Sequence, residues 1–359
     1  MERMYNDTES NETRVLVKSL VCEKLGDPAT SSNVLRVVKH ERNTTCPSNC
    51  VRIKVIAASL NFADVLQIQG IYQERLSPPF IPGNEVSGTV IQVGRDVSSL
   101  AVGDTVCALT NGGAFSEEVV APAIGTVKLS TAQGNFEQIE SAAGLLVCGG
   151  TAYLGLIQKA GLRRGQSVLI LGAGGGVGLA AVQIAKAVGA FVIAQVGSGW
   201  SQGDKIRVVE SMGADVCIDS SKVKSIKELK RIVNRAAPNG IDLVFDPIGF
   251  KPALSLLKWG GQIIVVGFAS GEIQSYPANI ALVKNITIRG LYWGAHMEHS
   301  PKEFRESVEA VVKMFDQGDL VVHVSHTYSF EQAQEAFSVL KNRKVVGKLL
   351  LCPGPRSML

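Results

Sequence analysis

The sequence predicts an α/β protein built on a doubly wound parallel sheet of six strands, carried beside a smaller β-rich unit. Three observations support this reading. Beyond residue 145, short apolar strands at 168–171, 191–196, 216–219, 243–246, 263–267 and 286–289 alternate with helix-length stretches. Each parallel crossover needs about a dozen residues, and strands covered on both faces read as continuous apolar runs. Upstream, period-two alternation recurs at 51–58, 86–93 and 104–109, punctuated by Pro82, Gly83, Gly94, Gly103 and Asp104, as in a small β-barrel. The length of 359 residues exceeds one typical domain, so two packed units are expected. After Gly290 a helix is expected over 301–317, another over 330–340, and a closing strand at 347–351.

Composition narrows the function classes. Hydrophobic residues make up 46% of the chain and charged ones 19%, with 37 glycines, which describes a compact chain with many tight turns. Aromatic residues, at 6%, are too sparse for a stacking platform on single-stranded nucleic acid. The 36 basic and 32 acidic residues are interleaved, so nucleic acid is not implied. The densest basic run, 222–235, carries Val223, Ile226, Leu229, Ile232 and Val233 at helical spacing and reads as an amphipathic helix with a solvated face. Seven cysteines, an odd number, are expected as free thiols. No run approaches 18 apolar residues, so no membrane-spanning helix is expected. Residues 1–14 are polar and read as a disordered tail. The closing Ser357, Met358 and Leu359 resemble a peroxisomal tripeptide with Met358 where a basic residue is usual, so a cytoplasmic or peroxisomal location is expected.

The strongest chemical signal is VLILGAGGGVG, residues 168–178, followed by an apolar helix. A strand entering a glycine turn that opens a helix aims free backbone amides and the positive end of the helix dipole at a pyrophosphate. Gly172, Gly175, Gly176, Val177 and Gly178 are therefore expected to hold a dinucleotide. Enzymes that prefer NAD place a carboxylate at the end of the second strand, but here that position falls at Gln195 and Val196. With no acid to repel a 2′-phosphate, Lys205, helped by Ser198 and Arg207, is expected to bind one, which favours NADPH. The histidine pairs His296 with His299 and His323 with His326 invite a metal reading, but exposed loop residues are the expectation.

With strand, loop and helix in place, the ordered motifs N61FAD, P79FIPGNEVSG, V102GD, G113AFSE, G150TAY, G213AD, D246PIG, V266GFA and G347K span residues 51 to 351. In these the chain resembles the quinone oxidoreductase (zeta-crystallin-like) branch of the zinc-independent medium-chain dehydrogenase/reductase family. The resemblance implies a Rossmann domain, 147–288, inserted into a GroES-like β-barrel catalytic domain formed by 15–146 and 289–359. It places Asn61 near the nicotinamide, Thr151 against the cofactor and Tyr72 in the substrate pocket, so Asn61 and Tyr72 are the expected catalytic residues, orienting the acceptor. It brings the backbone of Gly267 and Phe268 toward the nicotinamide, and Lys205 and Arg343 toward the 2′-phosphate. It also implies a homodimer paired through the strand at 286–289.

Zinc members of the wider family carry Cys, His and Cys where this chain has Asn61, Asn84 and Cys148. One thiolate does not make a tetrahedral site, so no metal is expected. The implied activity is NADPH-dependent reduction of a small quinone acceptor, with enone or alkenal double-bond reduction as the near alternative and a non-catalytic NADPH- and RNA-binding role as the distant one. Departures from the family pattern are Leu66 and Ile68 in place of a pocket tyrosine and an arginine, extra residues within 197–202, and Ser220 in place of an aromatic.

Overall fold

The computed structural model describes residues 15–42, 44–130, 135–197 and 202–354. The expected tail at 1–14, the loop residue Ser198 and the terminal tripeptide 357–359 lie outside the described residues.

A hairpin of β1 (Leu16–Cys22) and β2 (Leu35–Glu41) opens the fold. It leans on a second sheet built from β3 (Cys50–Leu60), β4 (Glu85–Val93), β5 (Thr105–Leu109), β6 (Glu118–Pro122) and β7 (Thr126–Lys128). The third sheet holds β8 (Ser167–Ile170), β9 (Phe191–Val196), β10 (Val216–Asp219), β11 (Ile241–Asp246), β12 (Leu257–Val265) and β13 (Thr287–Gly290). Its spatial order is β10-β9-β8-β11-β12-β13 and every neighbouring pair is parallel. The chain then returns to the second sheet through β14 (Val324–Ser329) and β15 (Lys348–Cys352), which extend it in the order β14-β15-β3-β4-β5-β7.

Alternation along a strand explains why both faces of the parallel sheet are covered. Val168 and Ile170 point into a core shared with Leu146, Phe245, Phe304 and Val308, while Leu169 and Leu171 point into the opposite core with Ile193, Val244, Leu229 and Val233. Each such fully buried aliphatic side chain contributes about 1.5–3 kcal/mol relative to exposure. The helix Pro301–Gln317 starts on a proline, ends on left-handed Gly318, and buries Phe304, Val308, Val311, Val312 and Phe315 on one stripe.

The basic run is helical from Ile226 to Ala236, three residues later than its apolar spacing begins. Ser225 explains the start, because its side chain accepts from the Glu228 amide and Val223 is left outside the helix. The expected helix over 330–340 opens as a short 3-10 turn at Phe330–Gln332 and becomes α-helical over Ala333–Lys341. All seven cysteines are free thiols. Among the described residues no single helix is long and apolar enough to cross a membrane.

Candidate active site

The glycine turn follows β8 at the carboxyl end of the parallel sheet. Gly172 adopts φ +60°, a conformation that side chains disfavour, and its carbonyl accepts from Gly175 N at 3.0 Å. The helix Gly176–Val188 then begins, and the Leu179 amide donates back to Gly175 O in the turn at 2.8 Å. The amides of Gly176, Val177 and Gly178 precede it and are the orphan donors of the helix start. Gly178 is fixed by close approach: a Cβ there would lie 2.4 Å from Gly172 O and 2.6 Å from Ala173 Cα. Gly347 N donates to Gly174 O at 2.9 Å, stitching the turn to the residue before β15.

Lys205 lies beside this turn. It is 6% exposed, and its Nζ donates to Arg343 O at 2.7 Å. Burial, and then the Arg343 charge, lowers its pKa. Arg343 itself takes φ +57°, and its Nη2 reaches Ala269 O at 3.5 Å, just past Phe268. The structure therefore brings Lys205, Arg343 and the strand end at Gln195 and Val196 to one rim. Gln195 is buried, and its Oε1 has no hydrogen-bond partner among the described residues. Arg207 departs from expectation. It is exposed and pairs with Asp204 at 3.4 Å, because two residues along a helix turn it to the face opposite Lys205.

Gly267 and Phe268 follow β12, and Thr151 is buried in the helix Leu146–Tyr153. The loop after β11 is held by Asp246, whose carboxylate accepts from the amides of Ile248, Gly249 and Phe250. Its pKa is nonetheless raised, because burial outweighs those three bonds.

Beneath the crevice lies a polar group that no stretch of sequence displays by itself. Asn61 caps the helix Phe62–Ile68, and Asp64 in its first turn accepts from Asn61 N at 2.7 Å. Asn61 Nδ2 donates to Glu85 Oε1 at 2.9 Å, and Asn61 Oδ1 accepts from Lys348 Nζ at 2.8 Å. Lys348 also donates to Glu85 Oε1 at 3.0 Å, and Glu85 Oε2 accepts from Val147 N at 3.0 Å. Asn84 Nδ2 donates to Asp64 Oδ1 at 2.9 Å. Burial pulls the Lys348 ammonium down, but Cys148, Glu85 and Asp64 together leave its pKa above the ordinary lysine value. Burial pushes Asp64 up to about 7 and Cys148 up to about 11. Gly176 joins this group to the glycine turn, since a Cβ there would lie 2.7 Å from both Cys148 Sγ and Lys348 Cδ.

Tyr72 is half-buried and is not joined to Asn61. Burial raises its pKa, offset by a hydrogen bond with Tyr292. Tyr292, just past β13, donates to Glu74 Oε1 at 2.7 Å, so a residue following the parallel sheet contacts the segment that carries Tyr72.

Two family models match the chain, "Alcohol dehydrogenase GroES-like domain" over residues 47–131 and "Zinc-binding dehydrogenase" over 176–313. The quinone oxidoreductase-like protein 2 homolog of Nematostella vectensis is 38% identical over 93% of this chain and 88% of its own. The chain belongs to the quinone oxidoreductase-like branch of the medium-chain dehydrogenase/reductase family. The human synaptic vesicle membrane protein VAT-1 homolog is 32% identical over 84% of this chain and 79% of its own. Escherichia coli quinone oxidoreductase complexed with NADPH superimposes with a TM-score of 0.80 at 27% identity, over 94% of this chain and all of that one.

Asp64, Glu85 and Lys348 stand in the motifs quoted from the sequence, but sequence reasoning assigned them no part in the site. Asp64 carried a signal, lying three residues after an N-cap asparagine. Lys348 carried a weaker one, as the single charge at the head of an apolar strand. The histidines also differ from exposed loop residues. His296 and His299 form a one-turn helix, His326 lies in β14 with its ring stacked 6.0 Å from Tyr328, and burial lowers the pKa of His323.

Proposed function

We propose that the chain is an NADPH-dependent oxidoreductase that reduces a quinone, or a conjugated enone, without a metal. The observation that carries the reading is the meeting of Lys205 and Arg343 beside the glycine turn, at a strand end that offers Gln195 and Val196 in place of a carboxylate. The amides of residues 176–178 suit the pyrophosphate, the Lys205 ammonium and Arg343 suit a 2′-phosphate, and the free Gln195 Oε1 offers an acceptor to a ribose hydroxyl. When bound, NADPH supplies the hydride. The chain's own residues bind, orient and donate hydrogen bonds.

The absence of metal chemistry in this reading rests on Lys348. The group that contains Asn61 and Cys148 already holds a buried ammonium, so a second cation there meets like-charge repulsion, and two ligand positions of zinc relatives are amides. Quinones and enones are electrophilic without a Lewis acid, and the Tyr72 phenol, protonated at neutral pH, suits hydrogen bonding to an acceptor oxygen. Leu66, half-buried where the family pattern has a pocket tyrosine, favours a less polar acceptor, whereas Ile68 is packed wholly inside the hydrophobic core and does not shape the pocket. A second copy of the chain fits the edge strand β13, whose four residues are all exposed beside Leu282 and Val283 at 81% and 74% exposure.

NADPH oxidation is followed with a panel of quinones and enones, with and without a chelator. Turnover unaffected by the chelator is expected. Tight NADPH binding with no turnover on either acceptor class sinks the enzyme reading, and chelator inhibition reversed by zinc sinks the metal-free part.

A further inference from the structure

A second cavity, of about 390 Å³, lies away from the crevice, between the β1–β2 hairpin, β6 and the loop at residues 110–113. Arg42 and Arg52 line one end of it and share one carboxylate, Glu118, at 3.5 Å and 3.9 Å. Two guanidinium groups against one carboxylate leave this trio with an excess positive charge. Arg52, 4% exposed, is anchored through Nε to Gln92 Oε1 and through Nη2 to Thr45 O. Arg42 Nε is buried and has no acceptor among the described residues, and Glu118 Oε2 makes no hydrogen bond there. Leaving a buried charged donor unmet costs more than an average hydrogen bond gains. The other walls are mainly apolar, with Val17, Leu76, Phe80, Ile81 and Val119, and carry His40, Asn111 and Ser116 as their polar members.

We propose that this cavity binds a monocarboxylate carried on an apolar body. The carboxylate would take the Arg42 Nε donor and neutralise the excess charge, and the body would lie along the apolar walls. A neutral ligand of the same shape leaves the charge and the donor unmet, and a bare anion leaves the walls wet. Removing Glu118, the carboxylate that competes for both arginines, should favour the ligand. The proposal is independent of the cofactor reading, because no cavity residue belongs to the crevice.

Isothermal titration of the full chain with octanoate, octan-1-ol and acetate tests it. Octanoate is expected to bind saturably with one site, and octan-1-ol and acetate at least about tenfold more weakly. Arg42→Gln should weaken octanoate about tenfold, Glu118→Gln should tighten it, and both should keep the wild-type affinity for NADPH. Saturating NADPH should leave octanoate binding unchanged. Octan-1-ol or acetate binding as tightly as octanoate, displacement of octanoate by NADPH, unchanged octanoate affinity in Arg42→Gln, or failure of Glu118→Gln to tighten it would each overturn the assignment.

Discussion

Lys348 Nζ donates to Asn61 Oδ1 at 2.8 Å across 287 residues of sequence, so the last strand of the fold holds the residue expected nearest the nicotinamide. The bond is made inside protein. The Lys348 side chain is 5% exposed and its Glu85 partner 1%. Replacing one member strands the other's charge, whereas replacing both removes the burden of burying a pair. Lys348→Met is therefore expected to lose about 3–5 kcal/mol in urea unfolding, and the double variant Lys348→Met with Glu85→Gln to recover most of it. Equal losses in the single and double variants would show that the pair is not coupled.

Asp64 lies in the same group and sets a pH dependence of unusual sign. Its folded pKa is pushed up to about 7 by burial, above the unfolded aspartate value near 4. Between those values the folded chain holds one proton more than the unfolded chain, so this group's contribution is complete below about pH 4 and is lost as pH rises toward 7. Carboxyls with lowered pKa, such as Asp27 and Asp104, act in the opposite sense at lower pH. Unfolding free energies of wild type and Asp64→Asn, compared from pH 4 to 8, isolate the effect. The difference should change by up to about 1.4 kcal/mol per pH unit below pH 7 and flatten above it. A difference independent of pH contradicts a raised Asp64.

What the sequence displayed and what it hid follow from the range of the interactions. The strands at 191–196 and 216–219 match their apolar runs because both faces are buried and the ends are marked by turns. β12 begins at Leu257, where it pairs with Ile241, and its first part was hidden because exposed Lys258, Trp259 and Gly260 break the apolar run before 263. The β1–β2 hairpin was not anticipated, since burial along β1 does not alternate cleanly and no residue of β2 is fully buried. The glycine turn was legible because strand, turn and helix are contiguous. The Lys348–Glu85 and Tyr292–Glu74 contacts join residues 263 and 218 positions apart, and no local period marks them.

Two glycines of the turn should fail differently. At Gly178 a Cβ meets backbone at 2.4 Å, so Gly178→Ala must distort the turn and is expected to lose both NADPH affinity and roughly 1–3 kcal/mol of stability. At Gly175 the backbone has φ −85°, and the nearest atom to a Cβ is Gly172 O at 3.5 Å, an ordinary contact. Gly175→Ala should therefore melt like wild type yet bind NADPH more weakly, because the added methyl occupies the approach to the helix start. Cofactor fluorescence titration and thermal melting separate the two, and unaltered NADPH affinity in Gly175→Ala would place the pyrophosphate elsewhere.

Lys205 decides which dinucleotide is preferred. Its ammonium already spends one donor on Arg343 O at 2.7 Å, which fixes its position and leaves two donors for a phosphate. A charge-assisted hydrogen bond contributes about 1.5–3 kcal/mol, so Lys205→Ala should lower the ratio of NADPH to NADH efficiency by roughly 10- to 100-fold, chiefly through KM for NADPH. The effect on NADH should be small, because no 2′-phosphate is present to feel the lost charge. Arg343→Ala should lower the same ratio less, since its carbonyl, which holds Lys205, survives the substitution. Steady-state kinetics with both cofactors at one acceptor concentration measure the ratio, and a value unchanged in Lys205→Ala would move the 2′-phosphate away from this rim.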